Sequence, residues 1–359
     1  MPNFEKPRVM IDASPLRYLN TGLGQFTFHL LQELELLSPL DYNLFALVHP
    51  KYRDLVPKEI QIEEAFWLRR HAPAGIQRYL YGPCAVWHMT TENTRHIGIP
   101  KKAAFVLTIH GLHFLDEESE EKATLQLMKV QELINRAEVI TVVSEFTASL
   151  VKEKLNIGGR RIQVIPNGVS FGAEPPRIPD WAPRKKFLFA IGTFFKRKNL
   201  HVIVSMMKLL PEYALVLAGD ANHDYGDFIV DMIKEEGLQD EVIVPGEITD
   251  SEKSWLYENG KALLFPSVSE GFGIPIIEAF QKGTPVFCSR YGSLPEIGGE
   301  LAYYWDNFDP QQMAAQVKKR LDGASVDEEK RKNYARQFTW SSAAKTYMGI
   351  YSELLKERK

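Results

Sequence analysis

Apolar residues in this chain come in short runs, each closed by turn residues. In the first half the runs are Val9–Ile11, Leu44–Val48, Ala85–His88, Ala104–Ile109, Val139–Val143 and Ile162–Ile165. In the second half they are Phe187–Ile191, Ala214–Ala218, Val242–Val244 and Ala262–Phe265. Runs of this length predict buried strands. Between several of them the apolar positions recur at helical spacing. Thr27, Leu30, Leu31, Leu34 and Leu37 share one face, and Gln126–Arg136, Thr147–Leu155 and Pro275–Lys282 read as further helices. A last helix, opened by Phe338-Thr-Trp-Ser, carries Tyr347, Ile350, Tyr351 and Leu354 on one side. Strands alternating with helices predict α/β architecture with parallel sheets. Ligands of such sheets sit outside the carboxyl ends of the strands.

The stretch from Glu174 to Arg184 breaks this alternation. It is polar, rich in proline and without periodicity, and is expected to link two domains. A length of 359 residues, 45% of them hydrophobic, suits two domains with separate cores. The net charge of −3 gives no reason to expect a nucleic-acid partner. Two cysteines, Cys84 and Cys288, offer neither a metal spacing nor a disulfide framework, and a reducing cytoplasm fits them best. The N-terminus lacks the apolar core of a signal peptide, and no apolar run is long enough to span a bilayer.

The candidate chemistry concentrates where strands end. After Ala262–Phe265 the chain reads Ser267-Val-Ser-Glu-Gly-Phe-Gly-Ile-Pro-Ile-Ile-Glu278. Gly271 and Gly273 allow a close backbone approach, and the helix start that follows favours a phosphate. Glu270 in the loop and Glu278 in the first turn do not suit an anion alone. They suit a sugar diphosphate, whose hydroxyls need acceptors beside the phosphate donors. After Phe187–Ile191 comes Gly192-Thr-Phe-Phe-Lys-Arg-Lys198, three cations at a strand's carboxyl end that can neutralise a diphosphate. His110 directly follows Val106–Ile109, and Trp87–Asn93 ends another strand that can line the same place. Gly22 and Gly24 occupy the turn between the first strand and first helix. Phe66–Tyr81 mixes large aromatics with arginines. It reads either as a solvated loop with anchoring aromatics or as a patch for anionic lipid head groups.

The two glutamates around Gly-Phe-Gly-Ile-Pro resemble the Glu-x7-Glu motif of the retaining GT-B glycosyltransferases, family 4 in particular. Val143–Thr147, Val164–Val169 and the Ser289…Pro295-Glu296 segment are similar to further family patterns in the same order. The resemblance implies a GT-B fold: two doubly wound Rossmann-like domains facing across a cleft, with the C-terminal helix crossing back to the first. The expected bounds are 1–172 with 341–359, a linker at 173–184, and 185–340.

The resemblance also assigns roles. Glu278 would hold the ribose of the donor. Lys198, with the Gly273 and Ile274 N–H groups, would hold its diphosphate, and Val244 would border the nucleobase. Gly22, Gly24, Thr193, Arg197, Gly271 and Phe272 would complete the donor site, while Glu270 and His110 would hold the transferred sugar. Relatives often carry arginine where this chain has Thr193, and aspartate where it has Gly111. The implied activity moves a hexose, mannose or a similar sugar, from a nucleotide donor to a glycan or polyprenyl-linked glycan in cell-surface polysaccharide synthesis. Retention of configuration, no cofactor and no metal are expected, since no Asp-x-Asp motif is present. The enzyme would work in the cytoplasm, with peripheral contact at the membrane's inner face. Two other readings stand beside it, a sugar-nucleotide epimerase of similar fold and a sugar-binding module.

Overall fold

A computed structural model describes residues 6–39, 41–64, 83–93, 98–171, 174–323 and 327–358. The chain forms two compact units, Met1–Gly168 with Thr339–Lys359, and Val169–Phe338.

The first unit is built on β1 (Arg8–Asp12), β2 (Asn43–Val48), β3 (Gln61–Glu64), β4 (Val86–Met89), β5 (Ala104–Ile109), β6 (Val139–Val142) and β7 (Arg161–Val164). They form one sheet in the order β3-β2-β1-β4-β5-β6-β7, every pairing parallel. Both faces are covered. Val9 and Ile11 of β1 join one core and Met10 the other; on β5, Val106 joins the first, and Phe105 and Leu107 the second. Burial on both faces explains why the strands read as continuous apolar runs rather than as alternations. Among the described residues before the second unit, the helices are α1 (Gly22–Leu37), α2 (Phe114–Glu117), α3 (Glu120–Arg136) and α4 (Glu145–Lys154).

The second unit contains β8 (Phe187–Ile191), β9 (Ala214–Ala218), β10 (Val242–Gly246), β11 (Leu263–Phe265), β12 (Val286–Ser289) and β13 (Tyr303–Trp305). Its sheet runs β10-β9-β8-β11-β12-β13, again all parallel. Its helices are α5 (Leu200–Met206), α6 (Asp224–Glu235), α7 (Asp250–Asn259), α8 (Ile274–Lys282), α9 (Leu294–Gly298), α10 (Pro310–Leu321) and α11 (Glu328–Ala335). The last helix, α12 (Trp340–Lys356), belongs to the first unit. Tyr347, Ile350, Tyr351 and Leu354 enter the same core as Phe26 and Leu30 of α1.

Three local differences from the expected elements have physical causes. The stretch expected as a linker lies within the second unit. The Ser251 hydroxyl donates to the Pro175 carbonyl at 2.8 Å, and Trp181 meets Trp255 edge-on. Most of the stretch is exposed, as expected of a polar segment without periodicity, but Pro175 and Trp181 fasten it to α7. Helix α1 begins at Gly22, earlier than the turn placed there. Gly24 is buried in its first turn, where a Cβ would lie 2.1 Å from the Tyr18 carbonyl oxygen. Protein backbone therefore fills the space beside Gly24. Trp87 and His88 are fully buried in β4, so they do not line a ligand site. The aromatic and basic stretch Phe66–Tyr81 lies outside the described residues.

Strand order reverses between β1 and β4 in one sheet and between β8 and β11 in the other. Such reversals leave a crevice at the carboxyl ends of the flanking strands, where open α/β sheets bind ligands.

Candidate active site

In the second unit the reversal point brings together the two loops with the densest chemistry. The loop after β8 makes a short 3-10 turn over Lys196–Lys198 and ends at Asn199, a non-glycine residue at φ 56°. Asparagine tolerates this left-handed conformation better than most residues. Its Nδ2 donates to the Pro266 carbonyl at 3.3 Å, and the Val268 N–H donates to the Arg197 carbonyl at 2.8 Å. The two loops are thus tied by backbone, and Lys198 Nζ reaches Glu270 Oε1 at 2.7 Å. Both side chains of this pair are nearly buried, at 13% and 11% exposure, so solvent screens the pair little. Lys198 also lies over the Phe265 ring. Arg197 sits on the Phe195 ring, and Thr193 closes the turn by accepting from the Phe195 N–H.

Helix α8 starts directly beyond. Gly273 is its N-cap residue at φ 102°, a left-handed conformation that favours glycine, and the helix has no side-chain cap. Pro275 has no N–H and the Ile276 N–H donates back to the Gly273 carbonyl at 3.0 Å, so the N–H groups of Gly273 and Ile274 are the ones here that can turn to a ligand. Gly271 and Phe272 are buried in the loop. The loop is held from behind by Ser293. Its hydroxyl donates to the Glu270 carbonyl at 3.0 Å and the Phe272 carbonyl at 2.8 Å. Gly292, at φ 64°, makes room for this, since a Cβ there would lie 2.7 Å from the Glu270 carbonyl oxygen. Neither Ser293 nor Gly292 stood out in the sequence. The only signal was their place just before Leu294-Pro-Glu.

Glu278 lies one turn inside α8 rather than in its first turn, and is buried. Its carboxylate accepts from Lys253 Nζ at 2.7 Å on one oxygen and from the Tyr257 hydroxyl at 2.6 Å on the other. Both partners come from α7, four residues apart and therefore on one face. Burial pulls the Lys253 pKa down, but the Glu278 carboxylate and Asp250 together outweigh it and the net shift is upward. Burial, with Glu278 beside it, pushes Tyr257 well above its ordinary value. Sequence reasoning missed both residues. Their available signal was the capping box Thr249-x-x-Glu252, which starts α7 and fixes its register. Val244 is half-buried on β10, against the core of this unit.

In the first unit, β4 and β5 deliver a different cluster at their carboxyl ends. His110 is buried, and its Nε2–H donates to the Thr90 carbonyl at 2.9 Å. A carbonyl only accepts, so the proton sits on Nε2, and Nδ1 is the acceptor of the neutral ring. Burial lowers the His110 pKa to about 4. The His110 N–H donates to Glu92 Oε2 at 3.0 Å, and burial raises the Glu92 carboxyl to about 7. Glu92 lies in the Trp87–Asn93 stretch that the sequence set beside His110, and the structure bears out that placement, although nothing in Thr90-Thr-Glu-Asn announces its burial. A Cβ at Gly111 would lie 2.8 Å from His113 Nε2, so the His113 imidazole occupies the space that a side chain at 111 would take. Gly22 is exposed at the start of α1.

Comparison with known proteins agrees with this architecture. The family model described as glycosyl transferases group 1 matches residues 174–338, and that described as glycosyltransferase family 4 matches residues 37–171. The chain belongs to the family 4 glycosyltransferases. Among curated relatives, it is 24% identical to the O-antigen chain mannosyltransferase B of Escherichia coli over 97% of this chain and 100% of that one. It is 22% identical to the O-antigen chain mannosyltransferase RfbU of Salmonella typhimurium, over 86% and 90%. Among solved structures, a sucrose-phosphate synthase from Thermosynechococcus elongatus superposes with a TM-score of 0.76 at 16% identity, covering 98% of this chain and 100% of that one. Anabaena HepE in complex with UDP and glucose gives 0.75 at 16% identity, covering 97% and 100%. The fold is GT-B and the chain is a glycosyltransferase. Among the described residues, no helix is long and apolar enough to cross a membrane.

Proposed function

We propose that this enzyme is a retaining hexosyltransferase that moves mannose or a similar hexose from a nucleotide-diphosphate sugar to a glycan or lipid-linked glycan. One observation carries the reading: the Lys198–Glu270 pair, at 2.7 Å, beside the uncapped start of α8. A donor diphosphate entering here meets an ammonium group and the free N–H groups of Gly273 and Ile274. Glu270 supplies an acceptor for the hydroxyls of the sugar next to it. Two relatives named as O-antigen mannosyltransferases, aligned over most of their length, support both the sugar and the polysaccharide context. Thr193, Arg197, Gly271 and Phe272 complete the donor site in this proposal, Val244 borders the base, and His110 contacts the transferred sugar. Lysine and the helix start take the charge-neutralising part that a divalent ion plays elsewhere, so neither metal nor cofactor is required. A lipid-linked acceptor would bring the enzyme to the membrane surface, which flotation with anionic vesicles at low and high salt would test.

The test of donor choice is a thermal-shift panel of GDP-mannose, UDP-glucose, UDP-galactose and free hexoses. A ligand present at about a hundred times its dissociation constant adds roughly 2.7 kcal/mol of stability. GDP-mannose is expected to give the largest shift. Stabilisation by free sugar alone would point to a binding module, and epimerised sugar formed without acceptor would point to an epimerase.

A further inference from the structure

Glu278 is reached from α7 by two groups at once, and neither contact is what a structural staple needs. A buried ion pair is a weak source of stability, because desolvating both charges offsets their attraction. An apolar pair would join α7 to α8 as well. Here an ammonium holds one carboxylate oxygen at 2.7 Å and a phenol holds the other at 2.6 Å. Lys253 and Glu278 side chains are 18% and 8% exposed. The Phe171 ring packs edge-on against Tyr257 and lies 5.7 Å from Lys253 Nζ, so the group is shielded on that side too. With both oxygens anchored, the carboxylate cannot rotate, yet each oxygen keeps a second acceptor position. A fixed pair of acceptors is what a vicinal diol requires: two hydroxyls donating to two oxygens in one plane. The remaining Lys253 N–H groups can return a donor to the same hydroxyl oxygens.

We propose that Lys253 and Tyr257 are positioning residues for the ribose of the nucleotide, holding the Glu278 carboxylate in the plane in which it accepts from the 2′- and 3′-hydroxyls. This rests on the reading that Glu278 meets the ribose. It makes recognition of the diol a property of α7 as much as of α8.

The test separates the inference from the reading beneath it. GDP and UDP, each beside its 2′,3′-dideoxy analogue, are titrated calorimetrically into the full chain, as wild type and as Lys253→Met, Tyr257→Phe and Glu278→Ala. Thermal melts confirm that each variant is folded, and Tyr257→Phe, which removes a single oxygen, serves where Lys253→Met does not fold. A charge-assisted hydrogen bond to the diol should give the wild type at least a roughly tenfold preference for the ribonucleotide. Lys253→Met and Tyr257→Phe should each reduce that preference several-fold while leaving affinity for the dideoxy analogue unchanged. A merely structural pair would weaken both nucleotides alike. If Glu278→Ala loses the preference and both α7 variants keep it, the role of Lys253 and Tyr257 is overturned while the ribose reading stands. If Glu278→Ala itself keeps the preference, the ribose reading falls and takes the inference with it.

Discussion

Glu270 and Glu278 lie eight positions apart, yet each is held by a different lysine. Lys198 meets Glu270 at the open loop, and Lys253 meets Glu278 inside the helix. The difference predicts different kinetics. Positive charge grows at the anomeric carbon in the transition state, so Glu270→Ala should lower kcat, by about a hundredfold if it matches other preorganised electrostatic groups. Glu278→Ala should mainly raise the donor KM, by roughly tenfold for a lost charged hydrogen bond. Steady-state kinetics with varied donor checks both, and small, equal effects would refute the division of roles. Glu92 gives a pH prediction. Its folded-state value of about 7 lies above the ordinary 4.5. Between these the folded protein keeps a proton that the unfolded chain has lost, so wild-type stability falls as pH rises through the window. The melting temperature of Glu92→Gln relative to wild type should therefore move in the variant's favour from pH 5 to pH 8. A difference that does not change with pH would contradict this. The loop residues Gly271, Gly273 and Glu270 were legible in the sequence because their chemistry is contiguous. Lys253 was not, since its partner lies 25 positions away on another helix.

At the scale of elements, the terminal helix shows what pattern reading reaches and what it omits. Helical spacing exposed its apolar face, but that face also carries two tyrosine hydroxyls into the sheet. The Tyr351 hydroxyl is hydrogen bonded to His88 Nδ1 at 2.6 Å, and His88 Nε2 to Thr108 at 2.8 Å. Thr108 continues to Thr141 at 2.7 Å, and the Tyr347 hydroxyl touches both threonines. The network links α12 to β4, β5 and β6 within one core. Burial holds His88 down to about 3, so it stays neutral at physiological pH and bridges as an uncharged ring. Removing one partner leaves a buried nitrogen unpaired, which costs roughly 1–3 kcal/mol. Tyr351→Phe should lower the urea midpoint accordingly, with the slope unchanged. No change in midpoint would show that the network does not fasten the helix. Three strands were missed from sequence: the interior Val286–Ser289, read only as part of a family pattern, and two edges. Gln61–Glu64 carries a single large apolar side chain, Ile62, and Tyr303–Trp305 is only three residues long. Each pairs on one side only, at the margin of its sheet, so a continuous apolar run is not required there.

For the whole molecule, the question is how sugar transfer proceeds on the groups present. Lys198 and the start of α8 are proposed to neutralise the diphosphate, so turnover should survive excess EDTA; complete loss that added metal restores would contradict this. The same groups constrain the stereochemistry. Inversion needs a base on the acceptor, opposite the leaving group. Double displacement needs a carboxylate nucleophile beneath the anomeric carbon. Glu270 is paired with Lys198 in the loop proposed to hold the phosphates. In the proposed donor site it would therefore stand on the leaving-group side, where it could accept from sugar hydroxyls but not attack from behind. Front-face attack is the route this proposal leaves: the acceptor hydroxyl would approach on the side of the departing phosphate and give its proton to the phosphate oxygen. The ammonium of Lys198 would stabilise the charge that leaves. By this route the new bond would take the configuration of the old one, and an α-linked donor would yield an α-glycoside. The one-bond carbon–hydrogen coupling at the new anomeric centre, read by NMR on the purified product, is expected to report an α-linkage. A β-linkage from an α-linked donor would overturn the front-face mechanism and the placement of Glu270 together.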